Sequence, residues 1–319
     1  MKDKTKGRLF IIIGAIVLIL TGANYLGHQR RINEEKTAKV ICTTYPVYLL
    51  AKSIAAHTRG PEVQLLLPAN TGCPHDYTLT PSDLMKLSGS RILLLKNGLG
   101  LDDALCETAL KSNPSLMVAD TTAGFRPIMA KAAHCKKSDC KSKSEHHHGT
   151  ANPHMFASPD MASGMVENIT DALEKLSPSN KVQYRKNAAA VIFELKELEK
   201  AFKKADFKQK NIAVQHDVFA YLARLAKLNQ AVSLHADSAQ APSPAHVAEL
   251  KKKIKENKVT VIFAEPQYPA DFAKMLAKEC GIKYAVLDPV ASGPADADAL
   301  YYVNTMKKNL AVLKEHLSK

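Results

Sequence analysis

From residue 38 onward the apolar positions of this 319-residue chain follow two alternating rhythms. Short unbroken runs, of the kind that fill both faces of a parallel sheet, take turns with longer stretches of helical period. Runs at 40–44, 63–67, 92–95 and 116–119 predict strands in the first half. Between them 81–87 predicts a helix, with Thr80 as its cap and Pro81 at the first helical position, where a missing N–H does no harm. The longest helical pattern runs from 179 to about 205, where Val191, Leu195, Leu198 and Phe202 recur at spacings of four, three and four. At 1.5 Å per residue it spans about 40 Å, and no Pro or Gly lies between Asn180 and Ala205 to kink it. The alternation then resumes with a strand at 212–214, a helix, a strand at 259–264, a helix, a strand at 284–287 and a closing helix near 299–317. Strands separated by helices predict an α/β fold of two lobes, each a mainly parallel sheet flanked by helices, joined by one long rigid linker helix. The expected bounds are 38–176 for the first lobe, 177–206 for the linker and 207–319 for the second lobe.

Two stretches break this rhythm. Lys2, Lys4, Lys6 and Arg8 precede an apolar run at 9–20 that continues less cleanly to Gly27, so residues 1–37 are expected to be an export signal or membrane anchor with a polar spacer. Thr21-Gly22-Ala23 offers small residues for cleavage without a Cys to accept lipid, and both cleavage and retention fit. A basic flank stays on the cytoplasmic side, which places the body in the periplasm or on the outer face of the cytoplasmic membrane, although Arg30-Arg31 beyond the run argues mildly against clean export. Residues 130–150 turn abruptly to Lys, Ser, Cys and His without apolar period and predict a polar loop.

A formal net charge of +13 raises the question of nucleic acid. The Lys and Arg are scattered over helical faces, and there is no Trp and no interleaving of aromatic with basic residues, so a nucleic-acid partner is set aside. Six Cys in an exported chain permit disulfides. Cys135 and Cys140 share the polar loop and are the expected pair, Cys42 reads as a buried strand thiol, and Cys73 with Cys106 is a second candidate pair.

Four side chains suited to holding a metal stand just after predicted strands or at helix entrances. They are His75 in Cys73-Pro74-His75-Asp76-Tyr77, His154 in Asn152-Pro153-His154-Met155, His216 in Gln215-His216-Asp217, and Asp288 in Leu287-Asp288-Pro289. In open parallel sheets ligands bind beyond the carboxyl ends of strands, and two of the four come from each lobe, so they can converge in the cleft between lobes. Three imidazoles and one carboxylate suit Zn2+ and accommodate Mn2+, whereas Mg2+ or Ca2+ calls for an oxygen-rich set. Taken singly, each is also an ordinary loop or turn residue. The joint pattern in a two-lobed exported chain is what favours a metal.

The ordered series Val40 to Tyr48, Pro74-His75-Asp76-Tyr77, Thr80-Pro81-Ser82-Asp83, Asn97-Gly98-Leu99-Gly100-Leu101, Pro153-His154, His216-Asp217 with Phe219 and Tyr221-Leu222, Pro242-Ser243-Pro244, Phe263-Ala264-Glu265-Pro266-Gln267 and Leu287-Asp288-Pro289 resembles the zinc- and manganese-binding solute-binding proteins of ABC metal importers. The resemblance covers about residues 38 to 317. It implies the two-lobed fold, the single linking helix, metal ligation at His75, His154, His216 and Asp288, a structural or outer role for Glu265, and a permease in the cytoplasmic membrane as partner of a monomer. The chain departs from the family in having Asn152 where Asp usually precedes Pro-His, and in placing Cys73 close to His75. The loop with His134, Cys135, Cys140 and the triplet His146, His147 and His148 resembles the metal-collecting loop of zinc receptors, its alternative being a basic linker without a ligand.

A binding protein without catalysis is therefore the expected function. A metal-dependent surface adhesin and a zinc hydrolase are the alternatives, the latter weakened because four protein ligands close the site and no general base is visible.

Overall fold

The structure is a computed structural model that describes residues 19–27, 29, 33–35, 37–71, 74, 77–129, 151–234 and 243–318. Most of the expected export segment, His75, Cys73 and the whole 130–150 loop with His134, Cys135, Cys140, His146, His147 and His148 lie outside the described residues. Residues 19–27 are helical and exposed, and among the described residues no helix is long and apolar enough to cross a membrane.

The first lobe is built on strands β1 (Lys39–Cys42), β2 (Glu62–Leu65), β3 (Ile92–Lys96) and β4 (Met117–Asp120), all parallel, in the order β2-β1-β3-β4. Helices α1 (Tyr45–Ala55), α2 (Pro81–Lys86) and α3 (Asp103–Ser112) form the crossovers. After β4 come α4 (Pro159–Leu176) and the long α5 (Lys181–Lys204). The second lobe repeats the plan with β5 (Asn211–Val214), β6 (Asn229–Ser233), β7 (Val261–Ala264) and β8 (Lys283–Val286), parallel in the order β6-β5-β7-β8. Its helices are α6 (Ala220–Leu225), α7 (Pro244–Glu256), α8 (Asp271–Cys280) and the closing α9 (Tyr301–Leu317). Each sheet is thus an open α/β sheet whose order reverses between its first and third strands, and the loops leaving those two strands are where such sheets bind ligands.

Period-two alternation decides where each strand side chain goes. Val40 and Cys42 face one core while Ile41 faces another, and on the second sheet Val214 and Phe263 join the first core while Ala213 and Ile262 turn away. The first core is shared by both lobes, because α5 lays one stripe across it: Tyr184, Ala188, Leu195, Leu198 and Phe202 are buried and Val191 is half-buried. The expected helix at 179–205 is therefore present as 24 residues, about 36 Å of rod at 1.5 Å per residue.

Strand β6 and helix α4 are absent from the expected series of elements, and the single helix expected between 214 and 259 is two, α6 and α7. Strand β6 is an edge strand of sequence NQAVS in which only Val232 is buried, so it needs no apolar run and shows none. Helix α4 follows the 130–150 loop, and its stripe of Ala162, Met165, Val166, Ile169, Leu173 and Leu176 is regular enough to be read from sequence. Cys106 is a free thiol inside α3, its candidate partner Cys73 lying outside the described residues, while Cys42 is, as expected, a fully buried strand thiol whose ionisation burial opposes.

Candidate metal centre

His216 is the second residue beyond β5, reached through Gln215, which is pinned when its backbone N–H donates to the Phe263 carbonyl at 3.0 Å and its side-chain oxygen accepts from the Glu265 N–H at 3.1 Å. Glu265 follows β7, the strand beside β5, so both project at the point where the strand order reverses. His154 arrives from the other lobe, at the entrance to a 3-10 turn, Met155–Ala157, that leads into α4. Its ring stands edge-on to that of His216, centroids 4.9 Å apart and planes at 81°.

Behind this pair lies a carboxylate. Glu265 is 2% exposed, its Oε1 is 4.0 Å from His216 Nδ1, and its Oε2 accepts from Gln267 Nε2 at 2.5 Å. Oε1 is buried without a hydrogen-bond partner among the described residues. Burial pushes the Glu265 carboxyl up to about 7, against the pull of His216 and Gln267 and with a further push from the charge of Asp288. A buried carboxylate oxygen with no donor, next to an imidazole, is the arrangement a cation in the cleft would satisfy.

Asp288 leaves β8 and is half-buried, and burial raises its carboxyl. Asn309 grips its backbone from both sides, accepting from the Asp288 N–H at 3.0 Å and donating to the Asp288 carbonyl at 2.7 Å. The Asp288 Oδ1 accepts from the Val290 N–H at 2.7 Å, and Val290, buried and β-branched, holds φ of 64°. Such a backbone is unfavourable for a β-branched residue and persists only where its surroundings impose it. Among the described residues no set of three His, Cys, Asp or Glu is gathered closely enough to hold a metal. The described centre is a histidine pair with Glu265 behind it and Asp288 acting on it through charge.

The cleft between the lobes leaves a cavity of about 30 Å3, lined by His154, His216, Glu265 and Tyr268 together with Thr44, Tyr45, Leu67 and Pro68. The first lobe's reversal-point loops reach it through a buried carboxylate. Asp102, 1% exposed, accepts from the Thr43 hydroxyl at 2.6 Å and from the N–H groups of Asn97 and Gly98 at 2.6 and 3.0 Å. Burial nevertheless outweighs these bonds and raises its carboxyl. Gly98 has φ of 94°, and a Cβ there would fall 2.2 Å from Asp120 Oδ1, so only Gly fits. Asn97 Nδ2 then donates to the Pro153 carbonyl at 3.0 Å and fixes the peptide that carries His154. Asp102 is not singled out by sequence pattern, and Asn152 enters there only as a departure from the family's usual Asp before Pro-His. Their signal is positional: one follows β3 at the reversal point, the other stands two residues before His154.

The family model ZnuA, zinc-uptake complex component A periplasmic, matches residues 40–316. The zinc-binding protein AdcA of Streptococcus pyogenes is 32% identical over 309 residues, which cover 91% of this chain and 58% of that protein, so the chain spans little more than half of this relative. The high-affinity zinc uptake system protein ZnuA of Bacillus subtilis is 30% identical over 326 residues, 97% of each chain. The crystal structure of the Zn(II)-bound ZnuA-like domain of Streptococcus pneumoniae AdcA superposes with a TM-score of 0.70 at 28% identity, covering 89% of this chain and all of that one. The match to the family runs from the first strand to the last helix, through both sheets and the cleft between them, and the chain belongs to the ZnuA family of zinc-uptake binding proteins.

Proposed function

We propose that the chain is the extracytoplasmic solute-binding protein of an ABC importer, capturing zinc, with manganese as the alternative, in the cleft and delivering it to a permease in the cytoplasmic membrane. The observation that carries this reading is the pairing of His154 from one lobe with His216 from the other, 4.9 Å between ring centroids, in front of the buried Glu265 Oε1, which has no hydrogen-bond partner among the described residues. Imidazole nitrogens are the donors zinc takes most readily, and manganese accepts them together with carboxylate. In this reading His75 and Asp288 complete the set, Glu265 supports it from behind, and the 130–150 loop collects zinc weakly ahead of the cleft. The metal is cargo, and the family is one of transport binding proteins rather than enzymes.

The test is metal analysis of protein purified without chelator or affinity-tag metal, followed by competition titration. One tightly held zinc per chain is expected, and His154→Ala or His216→Ala should weaken it beyond the ~100-fold that marks the upper range for outer-shell changes. Binding should also fall progressively below about pH 6.5, because imidazole must be neutral to ligate. Wild-type protein that holds neither zinc nor manganese in competition would remove this function.

A further inference from the structure

Resting on that reading of the cleft, we infer that Asn152 is a positioning residue: it locks His154 in the tautomer that leaves Nε2 without a proton, as ligation of the metal requires, and ties that histidine to the strand end that carries His216. Asn152 is 3% exposed, and every polar group it owns is engaged. Its Oδ1 accepts from the His154 backbone N–H at 2.9 Å and faces His154 Nδ1 at 3.1 Å. Its Nδ2 donates to the carbonyl of Asp217 at 2.8 Å, across the lobe boundary. Its backbone N–H donates to the Ile128 carbonyl at 2.7 Å, and its own carbonyl accepts from the Tyr221 hydroxyl at 2.7 Å.

An amide side chain can usually be turned over without visible change, but this one cannot. A backbone N–H only donates, so the atom facing the His154 N–H is the oxygen. A backbone carbonyl only accepts, so the atom facing Asp217 is the nitrogen. The same oxygen faces His154 Nδ1, and an amide oxygen has no proton to give. Nδ1 must therefore carry the proton, which leaves the lone pair on Nε2 in the neutral ring. A neutral imidazole without such a partner distributes its proton between both nitrogens, and the fraction protonated at Nε2 cannot ligate through that atom. The other arm, from Nδ2 to Asp217, fixes the residue next to His216 in the same stroke. Asn152 thus prepares the ligand atom of one lobe and sets its distance from the ligand of the other.

The test is nitrogen-15 histidine NMR on the metal-free protein at about pH 8, well above the ~6.5 of a model imidazole, with His154 assigned by comparison with His154→Gln. Wild type should show the Nδ1–H form of His154. Asn152→Ala should give a mixture or the Nε2–H form and weaken zinc binding by about 10- to 100-fold, the usual consequence of removing the hydrogen-bond partner of a metal-bound histidine. Asn152→Asp keeps an acceptor for Nδ1–H but loses the donor to Asp217, so it should restore the tautomer while recovering only part of the affinity. A wild-type spectrum in the Nε2–H form overturns the inference, and this outcome needs no variant to fold. So does an Asn152→Ala protein that loses zinc affinity with its tautomer unchanged, or an Asn152→Asp protein that folds without restoring the tautomer. If wild type shows the Nδ1–H form, and Asn152→Ala shifts it, while no zinc binds to either, the tautomer lock stands and the proposed cargo falls.

Discussion

At the scale of single residues the centre depends on polar groups that are buried with their partners. Tyr221 shows how much: its hydroxyl donates to the Asn152 carbonyl at 2.7 Å and accepts from the Ile128 N–H at 3.0 Å, and the side chain is fully buried. Tyr221→Phe keeps the ring and strips one half-buried donor and one buried acceptor of their partner, which costs about 1–3 kcal/mol when such groups stay dry. Urea unfolding should report a loss in that range as a lowered midpoint with an unchanged slope, and a loss below about 0.5 kcal/mol, the size of an ordinary surface change, would mean that the pair finds water instead. His154, His216 and Asp288 are candidates from the sequence because each stands just beyond a predicted strand or at a helix entrance, and strand ends are where α/β sheets bind, while Glu265 enters only through the family resemblance. Asn152 and Tyr221 stand in the stretches that bear on the family resemblance, and Asp102 does not, but no role is readable for any of the three. Their roles depend on which backbone groups the folded chain brings within 3 Å of them, and period and spacing carry no information about that.

At the scale of elements, α2 is a six-residue helix whose start is fixed by local chemistry alone. The Thr80 hydroxyl accepts from the Asp83 N–H at 3.2 Å and the Asp83 carboxylate accepts from the Thr80 N–H at 3.0 Å, a reciprocal cap that also draws in the Tyr77 hydroxyl at 2.9 Å. Removing it with Thr80→Ala should cost about 1 kcal/mol. For Asp83 burial opposes the charge, but the bonds from Thr80, Tyr77 and Lys86 outweigh it and hold the carboxyl below the usual carboxylate range. A carboxyl depressed in the folded state contributes stability that is present above its unfolded value of ~3.9 and lost as pH falls through its folded value. The stability gap between wild type and Asp83→Asn should thus be widest at neutral pH and shrink steadily below about pH 4. A gap that stays constant down to pH 2 would show that the ionised carboxylate contributes nothing beyond its shape. Thr80 and Pro81 announced this helix because caps are written in neighbouring residues. Edge strand β6 gave no such sign, since one buried side chain in five residues is too little periodicity to read.

At the scale of the whole molecule, the two lobes are held as one body. They share a core that runs from Val40 and Leu93 of one sheet, through Leu195 and Phe202 of α5, to Val214 and Phe263 of the other. Hydrogen bonds stitch the rim of α1 to the segment before α9: the Tyr45 hydroxyl donates to the Pro294 carbonyl at 2.8 Å, Lys52 Nζ to Ala297 at 2.7 Å and the Ser53 hydroxyl to Ala299 at 2.9 Å. Gly293 lies so close to Tyr45 that a Cβ there would fall 2.7 Å from its hydroxyl oxygen, so even this crossing loop has no slack. A wide opening of the cleft would have to break these bonds, expose the shared core and bend a 24-residue helix that contains neither Pro nor Gly. Binding is then expected to order the residues around His154 and His216 and to tilt the lobes slightly, leaving a hinge motion no room. Small-angle scattering of metal-free and zinc-loaded protein checks this directly. A compact body of this length has a radius of gyration of about 20 Å, and the two forms should agree closely. A compaction greater than about 1 Å on that ~20 Å scale would show that α5 does not hold the lobes at a fixed angle, and the bonds from α1 to residues 294–299 would then have to be the ones that part.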